Sequence, residues 1–547
     1  MSKIKLSDLT LREKIGQTFV FKGNFWENVE DWESYLKKNP SSGVWSFGKR
    51  CKDINAIVDF NGVDSADNDF GSDYAISIPR EMKKYLKVPP IIGADTVSGF
   101  VGMSQKPSVM SVGATNRLDI GYKLGACIAE EFKCCGVRWH WSPVADLSQW
   151  DAANSRARVF SDDAELLANM CIEFVKGTQE HGVAAGMKHF PGHGVCRSRD
   201  THLASSCNTM TFEEWEKTQG AVYQKIIDSG VYTVMISHSS FPAVDDTKVG
   251  RHYIPSTFSK KIVTDLLKEK MGFKGVVVSD DLYMRGCKNC FPREELYINA
   301  LNAGIDILLG PEMEPDFAPN YIDVIEKAVN DGRVSMERIN DACQRVLDLK
   351  EKLGLFEENI YEEKYNVEEI TKNTAMLARE IAEEAITLVV NERNLLPIDK
   401  NKIKNIAILP FAHSAQFSKS MESLKKILEN RGFNVSILEN LNVQGYKDVA
   451  ENNDLIIYAT FIGPHQPYGK PSFYGDVMKS FFNVLTFGAE KSVCASFGST
   501  NIYYEYFEDS ETFINAYAHN NATLEAFVKA IFGEIPFRGK TPFKLIP

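Results

Sequence analysis

The segment KHFPGHGVCRSRDTH, residues 188–202, gathers one lysine, three histidines, two arginines and an aspartate. Side chains of these kinds trade protons near neutral pH and hold hydroxyl or anionic groups. His189 and His193 have the i, i+4 spacing of a metal pair, but Pro191 between them disfavours the helix such a pair needs. No H-E-x-x-H supplies a general base beside two ligands, so neither a metal nor a cofactor is expected. Gly192 and Gly194 allow unusual backbone angles in the same turn. A serine hydrolase fits worse: no G-x-S-x-G is present, and the SFGS at 496–499 is remote from the histidines. Two further carboxylate sites are Asp95, which ends PPIIGAD (89–95), and the Asp280–Asp281 pair after GVVVS. A carboxylate nucleophile paired with an acid/base group suits glycosidic cleavage with retention. In Asp200-Thr201-His202 the aspartate could hold one imidazole nitrogen, leaving the other to protonate a leaving oxygen. Capping or satisfying a buried carbonyl would explain one isolated histidine, not this cluster.

These residues need elements that bring them together. Strand candidates are GVWSF (43–47), PPIIGAD (89–95), GVRWHWSPV (136–144), VAAGMKH (183–189), VYTVMIS (231–237), GVVVSDD (275–281) and IDILLG (305–310). Amphipathic stretches at 118–134, 163–179, 211–228 and 257–271 lie between them, which predicts βα units and a parallel sheet. Asp95, Lys188–His189, His238 and Asp280–Asp281 all fall at the C-terminal ends of strands. Those ends converge on one face of a (β/α)8 TIM-type barrel, so the barrel is expected, with its eighth strand missed or irregular. A doubly wound sheet would instead carry a Gly-rich loop after its first strand, and none is present. Residues 334–353 read as a closing helix. The charged, weakly patterned GLFEENIYEEKYNVE opens a linker at 354–372, which divides a catalytic barrel, 1–353, from an αβα sandwich domain, 373–547. In the latter, strands are expected at 386–390, 405–410, 434–438, 454–460 and 492–498, with helices at 375–384 and 521–532.

The 547 residues include 62 basic and 73 acidic side chains, a net charge of −11 that argues against nucleic acid as a partner. Apolar runs stop short of the roughly 20 residues of a membrane helix, and MSKIKLSDLTLREKIGQTF lacks a signal-peptide core. No membrane partner and a cytoplasmic location are therefore expected. The eleven cysteines have no framework spacing, and the lone C-x-x-C, Cys287 and Cys290, lacks a second pair for a zinc site. Self-association into a homo-oligomer stays open.

KHFPGHG (188–194), D-x-H (200–202) and GFKGVVVSDDLYM (272–284) resemble the bacterial β-N-acetylglucosaminidases of glycoside hydrolase family 3. The resemblance extends through PPIIGAD, residues 112–147 and RVFSDDAE (158–165) to FGEIPFRGKTPFKLIP (532–547), the close of the smaller domain in two-domain members. It implies Asp280 as nucleophile, His202 as acid/base and Asp200 as its orienting partner. It further implies that Asp95, Arg158, Lys188 and His189 bind the sugar's hydroxyls. The D-x-H dyad implies the N-acetylglucosaminidase branch, since members acting on plain glucosides take a glutamate from the second domain. Some positions depart from the family pattern. Val195 and Cys196 replace an acid and a threonine, the loop before the dyad is one residue longer, and ADTVSGF (94–100) lacks an acid and an arginine. SQWDAANSRAR (148–158) offers Trp150 either as a stacking face or as packing. These changes predict a shifted aglycone preference with catalysis intact.

The leading expectation is a retaining exo-β-N-acetylglucosaminidase acting on muropeptides or chitin-type oligosaccharides. Its alternatives are an N-acetylglucosaminide phosphorylase, a β-glucosidase or a β-N-acetylgalactosaminidase of the same fold, or a catalytically silent sugar-binding protein.

Overall fold

The computed structural model describes residues 4–22, 32–38, 40–45, 72–95, 107–148, 156–196, 200–310, 321–412, 415–462 and 473–544. Short, largely apolar and buried runs form eight parallel strands. They are β1 (Phe19–Lys22), β2 (Gly43–Trp45), β3 (Ile91–Ala94), β4 (Trp139–His140), β5 (Ala184–Phe190), β6 (Thr233–Ile236), β7 (Val276–Ser279) and β8 (Leu308–Leu309). The order is β8-β1-β2-β3-β4-β5-β6-β7, and the pairing of Val278 with Ile307 joins the last strand to the first. This is the expected (β/α)8 barrel, and β1 is the strand the sequence reading missed.

The barrel interior holds Val20, Trp45, Ile91, Trp139, Trp141, Met235, Val278 and Leu309, a core of buried apolar side chains. Trp141 is met edge-on by Trp45 at 5.2 Å and by Trp139 at 5.3 Å. Leu349, Leu353, Leu355 and Tyr361 close the N-terminal end of the barrel. Residues inside the segment read as linker help here: the Tyr361 hydroxyl donates to the Pro90 carbonyl at 2.6 Å, and Arg138 donates to the Ile360 carbonyl at 3.1 Å.

Helices Leu118–Cys134 and Ala164–Glu180 cover the outside, the latter capped by Asp163, which accepts from the backbone of Glu165 and Leu166. The amphipathic stretch 211–228 is two helices, Phe212–Lys217 and Gln219–Asp228. The break at Thr218 turns Gln219 inward, where its amide accepts from Leu147 N at 2.6 Å and donates to the Ala145 carbonyl at 2.8 Å. A strand-end loop beneath the site is thus satisfied at the expense of helix continuity.

The second unit has six strands: β9 (Thr387–Asn391), β10 (Asn405–Phe411), β11 (Asn434–Ile437), β12 (Leu455–Thr460), β13 (Ser492–Ser496) and β14 (Thr512–Asn515). Their order is β9-β14-β13-β12-β10-β11, parallel except for β9, which runs antiparallel to β14. Helices Ala415–Glu429 and Asn521–Ile531 cover one face, with Val443–Asn452 and Gly475–Phe481 on the other, giving the expected αβα sandwich. Helix Val367–Ala385 serves both units: Ala378 and Ala382 face the sandwich core, Leu377 and Ile381 the barrel's. Among the described residues no helix is long and apolar enough to cross a membrane.

Replacing Trp141 by Ala empties the centre of the barrel and should lower the free energy of unfolding by about 3–5 kcal/mol. An unchanged urea midpoint, followed by tryptophan fluorescence, would contradict the filled interior.

Candidate active site

The strand ends place their polar residues at one mouth. Lys188, at the C-terminal end of β5, is buried and forms an ion pair with Asp95, just past β3. Asp95 feels the charges of Lys188, Arg158 and Asp280, and Lys188 those of Asp95, Arg158 and Asp280. Burial alone would raise the Asp95 pKa, yet the two cations hold it below the ordinary carboxylate range. The Lys188 ammonium is lowered, because its desolvation outweighs its partner. Arg158 ends the short turn Arg156–Arg158.

Asp146, which the sequence reading did not select, organises the next layer. It is 1% exposed and accepts four hydrogen bonds. These come from His189 Nδ1 at 2.7 Å, His189 N at 3.2 Å, His193 N at 2.8 Å and the Tyr223 hydroxyl at 3.1 Å. Burial opposes its charge, but the two histidines and these donors drive its pKa well down. Burial lowers the His189 pKa despite Asp146, so the ring is neutral. Asp146 accepts, so the His189 proton sits on Nδ1 and Nε2 becomes an acceptor. The clamp holds the whole turn that the glycines permit. Gly192 does have the left-handed φ of +116°, whereas Gly194 serves close approach: a Cβ there would stand 2.5 Å from the Leu147 carbonyl oxygen. His193 Nδ1 bonds Ser239 Oγ at 2.7 Å, so the rings of the two histidines have separate Nδ1 partners although both backbone N–H groups donate to Asp146. Val195 and Cys196, the family departures, are buried in the same turn.

Asp280 follows β7 and Asp200-Thr201-His202 follows β5. The Asp280 Oδ1 accepts from Asp281 N at 2.8 Å. Burial pushes against its charge, but the imidazoles of His238, His189 and His202 and that N–H hold its pKa at about 2. The neighbouring Asp281 turns away, accepting from Tyr283 N at 2.9 Å. It leans over Gly310, where a Cβ would stand 2.1 Å from Asp281 Oδ1. His238, fully buried, donates from Nε2 to the Asp281 carbonyl at 2.9 Å and accepts at Nδ1 from the Thr257 hydroxyl at 2.7 Å. It braces the backbone of the carboxylate pair. In the dyad, Asp200 Oδ1 accepts from His202 Nδ1 at 2.6 Å and from His202 N at 2.8 Å. Burial disfavours both charges, yet the contact brings Asp200 to about 2 and raises the imidazole, with the charge of Asp280 adding to the latter. The Asp200 side chain is 8% exposed and that of His202 44%. The structure therefore brings Asp95, Arg158, Lys188, His189, Asp200, His202 and Asp280 into one electrostatically coupled group, containing a carboxylate of lowered pKa, an imidazole of raised pKa and an ion pair on the buried Lys188.

Parts of the sequence reading, namely residues 96–100, Trp150 and 197–199, lie outside the described residues. Cys287 of the C-x-x-C is buried and donates to the carbonyls of Leu282 and Met284, both at 3.4 Å. Burial pushes its thiol well up.

Residues 10–349 match the family model of the glycosyl hydrolase family 3 N-terminal domain. A beta-N-acetylglucosaminidase/beta-glucosidase of Cellulomonas fimi is 30% identical over 481 residues, 83% of this chain and 83% of that protein. Among solved structures, the beta-glucoside phosphorylase BglX has a TM-score of 0.82 at 23% identity, over 99% of this chain and 94% of that one. A glycoside hydrolase family 3 beta-N-acetylglucosaminidase from Paenibacillus sp. str. FPU-7 has 0.78 at 23%, over 98% and 99%. At these identities the structural likeness is one of fold.

Asp146→Asn replaces an acceptor-only group with one that also donates. Nitrogen NMR of the imidazoles should show His189 leaving its Nδ1–H form, and kcat/KM for a substrate of this site should fall by about 10²-fold. A variant with the native His189 spectrum would contradict the clamp.

Proposed function

The chain belongs to glycosyl hydrolase family 3, and on that premise we propose that it is a retaining exo-β-N-acetylglucosaminidase. In this reading it releases terminal N-acetylglucosamine from muropeptides or chitin-type oligosaccharides. The observation that carries the reading is the Asp200–His202 hydrogen bond, which raises the imidazole pKa, coupled through space to the Asp280 carboxylate, whose pKa is held at about 2. In the first step an Asp280 oxygen bonds to C1 as the bond from C1 to the leaving oxygen breaks. His202 gives that oxygen its proton, and Asp200 stabilises the imidazolium beforehand and holds the ring in place. In the second step neutral His202 takes a proton from water as the water oxygen bonds to C1 and Asp280 departs. Two inversions give net retention. Asp95, Lys188, Arg158 and the Nε2 acceptor of His189 hold the ring hydroxyls.

A histidine base also suits phosphate as the attacking group, because it does not repel an anion as a glutamate would. The fold shared with a beta-glucoside phosphorylase gives that second reading a precedent. Aryl N-acetyl-β-glucosaminide and aryl β-glucoside, each assayed with and without phosphate, decide between them. The first substrate should react faster, with free sugar as product. Turnover that depends on phosphate and yields a sugar 1-phosphate would replace hydrolysis by phosphorolysis, and a glucoside preference would overturn the substrate class. Turnover of neither would leave a sugar-binding protein.

His202→Ala should lower kcat/KM by roughly 10²–10⁴-fold on poor leaving groups and by much less on a dinitrophenyl glycoside. Azide should then restore turnover and yield a β-glycosyl azide. An unchanged leaving-group dependence would rule out His202 as the acid.

The acid must carry its proton, so kcat/KM should fall as pH rises through the His202 pKa, which lies above the ordinary imidazole value of about 6.5. Asp200→Asn removes the charge that raises it, so this alkaline limb should move to lower pH. A limb that stays in place would contradict the dyad.

A further inference from the structure

The sandwich reaches back onto the barrel through residues 538–544, and successive contacts secure the path. Arg538 pairs with Glu384 at 2.6 Å, and Gly539 N donates to the Ile386 carbonyl at 3.2 Å. Lys540 N then donates to the Ala114 carbonyl, across on the barrel side, at 2.9 Å. The Pro542 carbonyl accepts from Ser161 Oγ at 2.6 Å and from Asp162 N at 3.2 Å, and Lys544 N donates to Asp162 Oδ2 at 2.8 Å. Phe543, between these contacts, is 2% exposed and lies in the barrel's outer core. The fit is tight: a Cβ on Gly113 would stand 1.7 Å from the Phe160 carbonyl oxygen and 3.1 Å from Pro542 Cβ.

The path grips the segment that carries Arg158. Ala114 lies in helix Val109–Thr115, which packs against the turn Arg156–Arg158. Phe160 is buried against Phe174, and Ser161 and Asp162 follow it directly. Arg158 stands at the end of a three-residue turn, not on a strand, yet its charge acts on Asp95, Lys188, His189 and His202. Its placement therefore depends on whatever fixes residues 159–162.

We propose that residues 540–544 are a positioning strap, by which the second unit fixes Arg158 for sugar binding at the mouth of the barrel. This rests on the reading of Arg158 as a sugar-binding residue. Asp280 and the Asp200–His202 dyad stand on other loops, so the strap should govern binding, with the charge of Arg158 on His202 its one link to proton transfer.

The test uses Ser161→Ala, which removes one donor to the Pro542 carbonyl, and a chain ending at Gly539, each in the native and the Arg158→Lys background. Lysine keeps the charge and loses the guanidinium fork. With an aryl N-acetyl-β-glucosaminide the shortened chain should raise KM roughly tenfold, and Ser161→Ala by less, with kcat within about twofold. In the Arg158→Lys background neither change should add to KM. An unchanged KM, or the same increase on top of Arg158→Lys, overturns the strap; if the shortened chain does not fold, Ser161→Ala decides by the same comparison. A native chain that turns over no aryl glycoside overturns the functional reading. The strap is then read from calorimetric affinity for N-acetylglucosamine in the same chains, where the same non-additive loss is expected, and a native chain that binds no sugar overturns both.

Discussion

Four carboxylates at or beneath one barrel mouth, Asp95, Asp146, Asp200 and Asp280, must stay ionised out of bulk water. Each uncompensated charge of this kind costs several kcal/mol, and the local architecture answers that cost residue by residue. Lys188 and Arg158 serve Asp95, two histidine turns and a tyrosine serve Asp146, His202 serves Asp200, and three imidazoles surround Asp280. The chain carries 73 acidic against 62 basic residues, so this compensation is a property of the site and not of the protein's charge. It also separates the two imidazoles: desolvation lowers the His189 pKa, while Asp200 and the charge of Asp280 raise that of His202.

Asp280 and the Asp200–His202 dyad arise on different strand-end loops, and the backbone ties those loops together. Arg285 N donates to the His202 carbonyl at 3.3 Å and Gly286 N to the Thr201 carbonyl at 2.8 Å. The loop after Asp280 thereby carries the dyad, so a shift of one group takes the other with it. His238 adds stiffness by holding the Asp281 carbonyl from β6. In the double displacement proposed above, where the same two groups act twice, such bracing would keep both in place.

The motif-dense parts were legible because strand ends in a parallel barrel announce themselves: an apolar run, then a charged residue. Lys188, His189 and Asp280 follow that rule. β1 was missed because FVFK is a four-residue strand directly behind a short helix, with no alternation to mark it. β14 was missed for the same brevity, and its antiparallel pairing with β9 is a tertiary fact. Asp146 was passed over because its partners lie 43 to 77 positions away in the chain. The available signal was a charge inside WHWSPVADL, a run that reads as buried, where a charged residue must have partners. The strap was invisible for a similar reason, since Ser161 and Pro542 are 381 positions apart.

The central claim is that Asp280 becomes covalently bonded to the sugar. Incubation with 5-fluoro-N-acetylglucosaminyl fluoride, which keeps the acetamido group and slows release of the intermediate, tests it directly by mass spectrometry of the intact and digested chain. One added 5-fluoro-N-acetylglucosaminyl group on the peptide containing Asp280 is the predicted result. A label on another residue, or continued turnover of the reagent with no label accumulating, would contradict it.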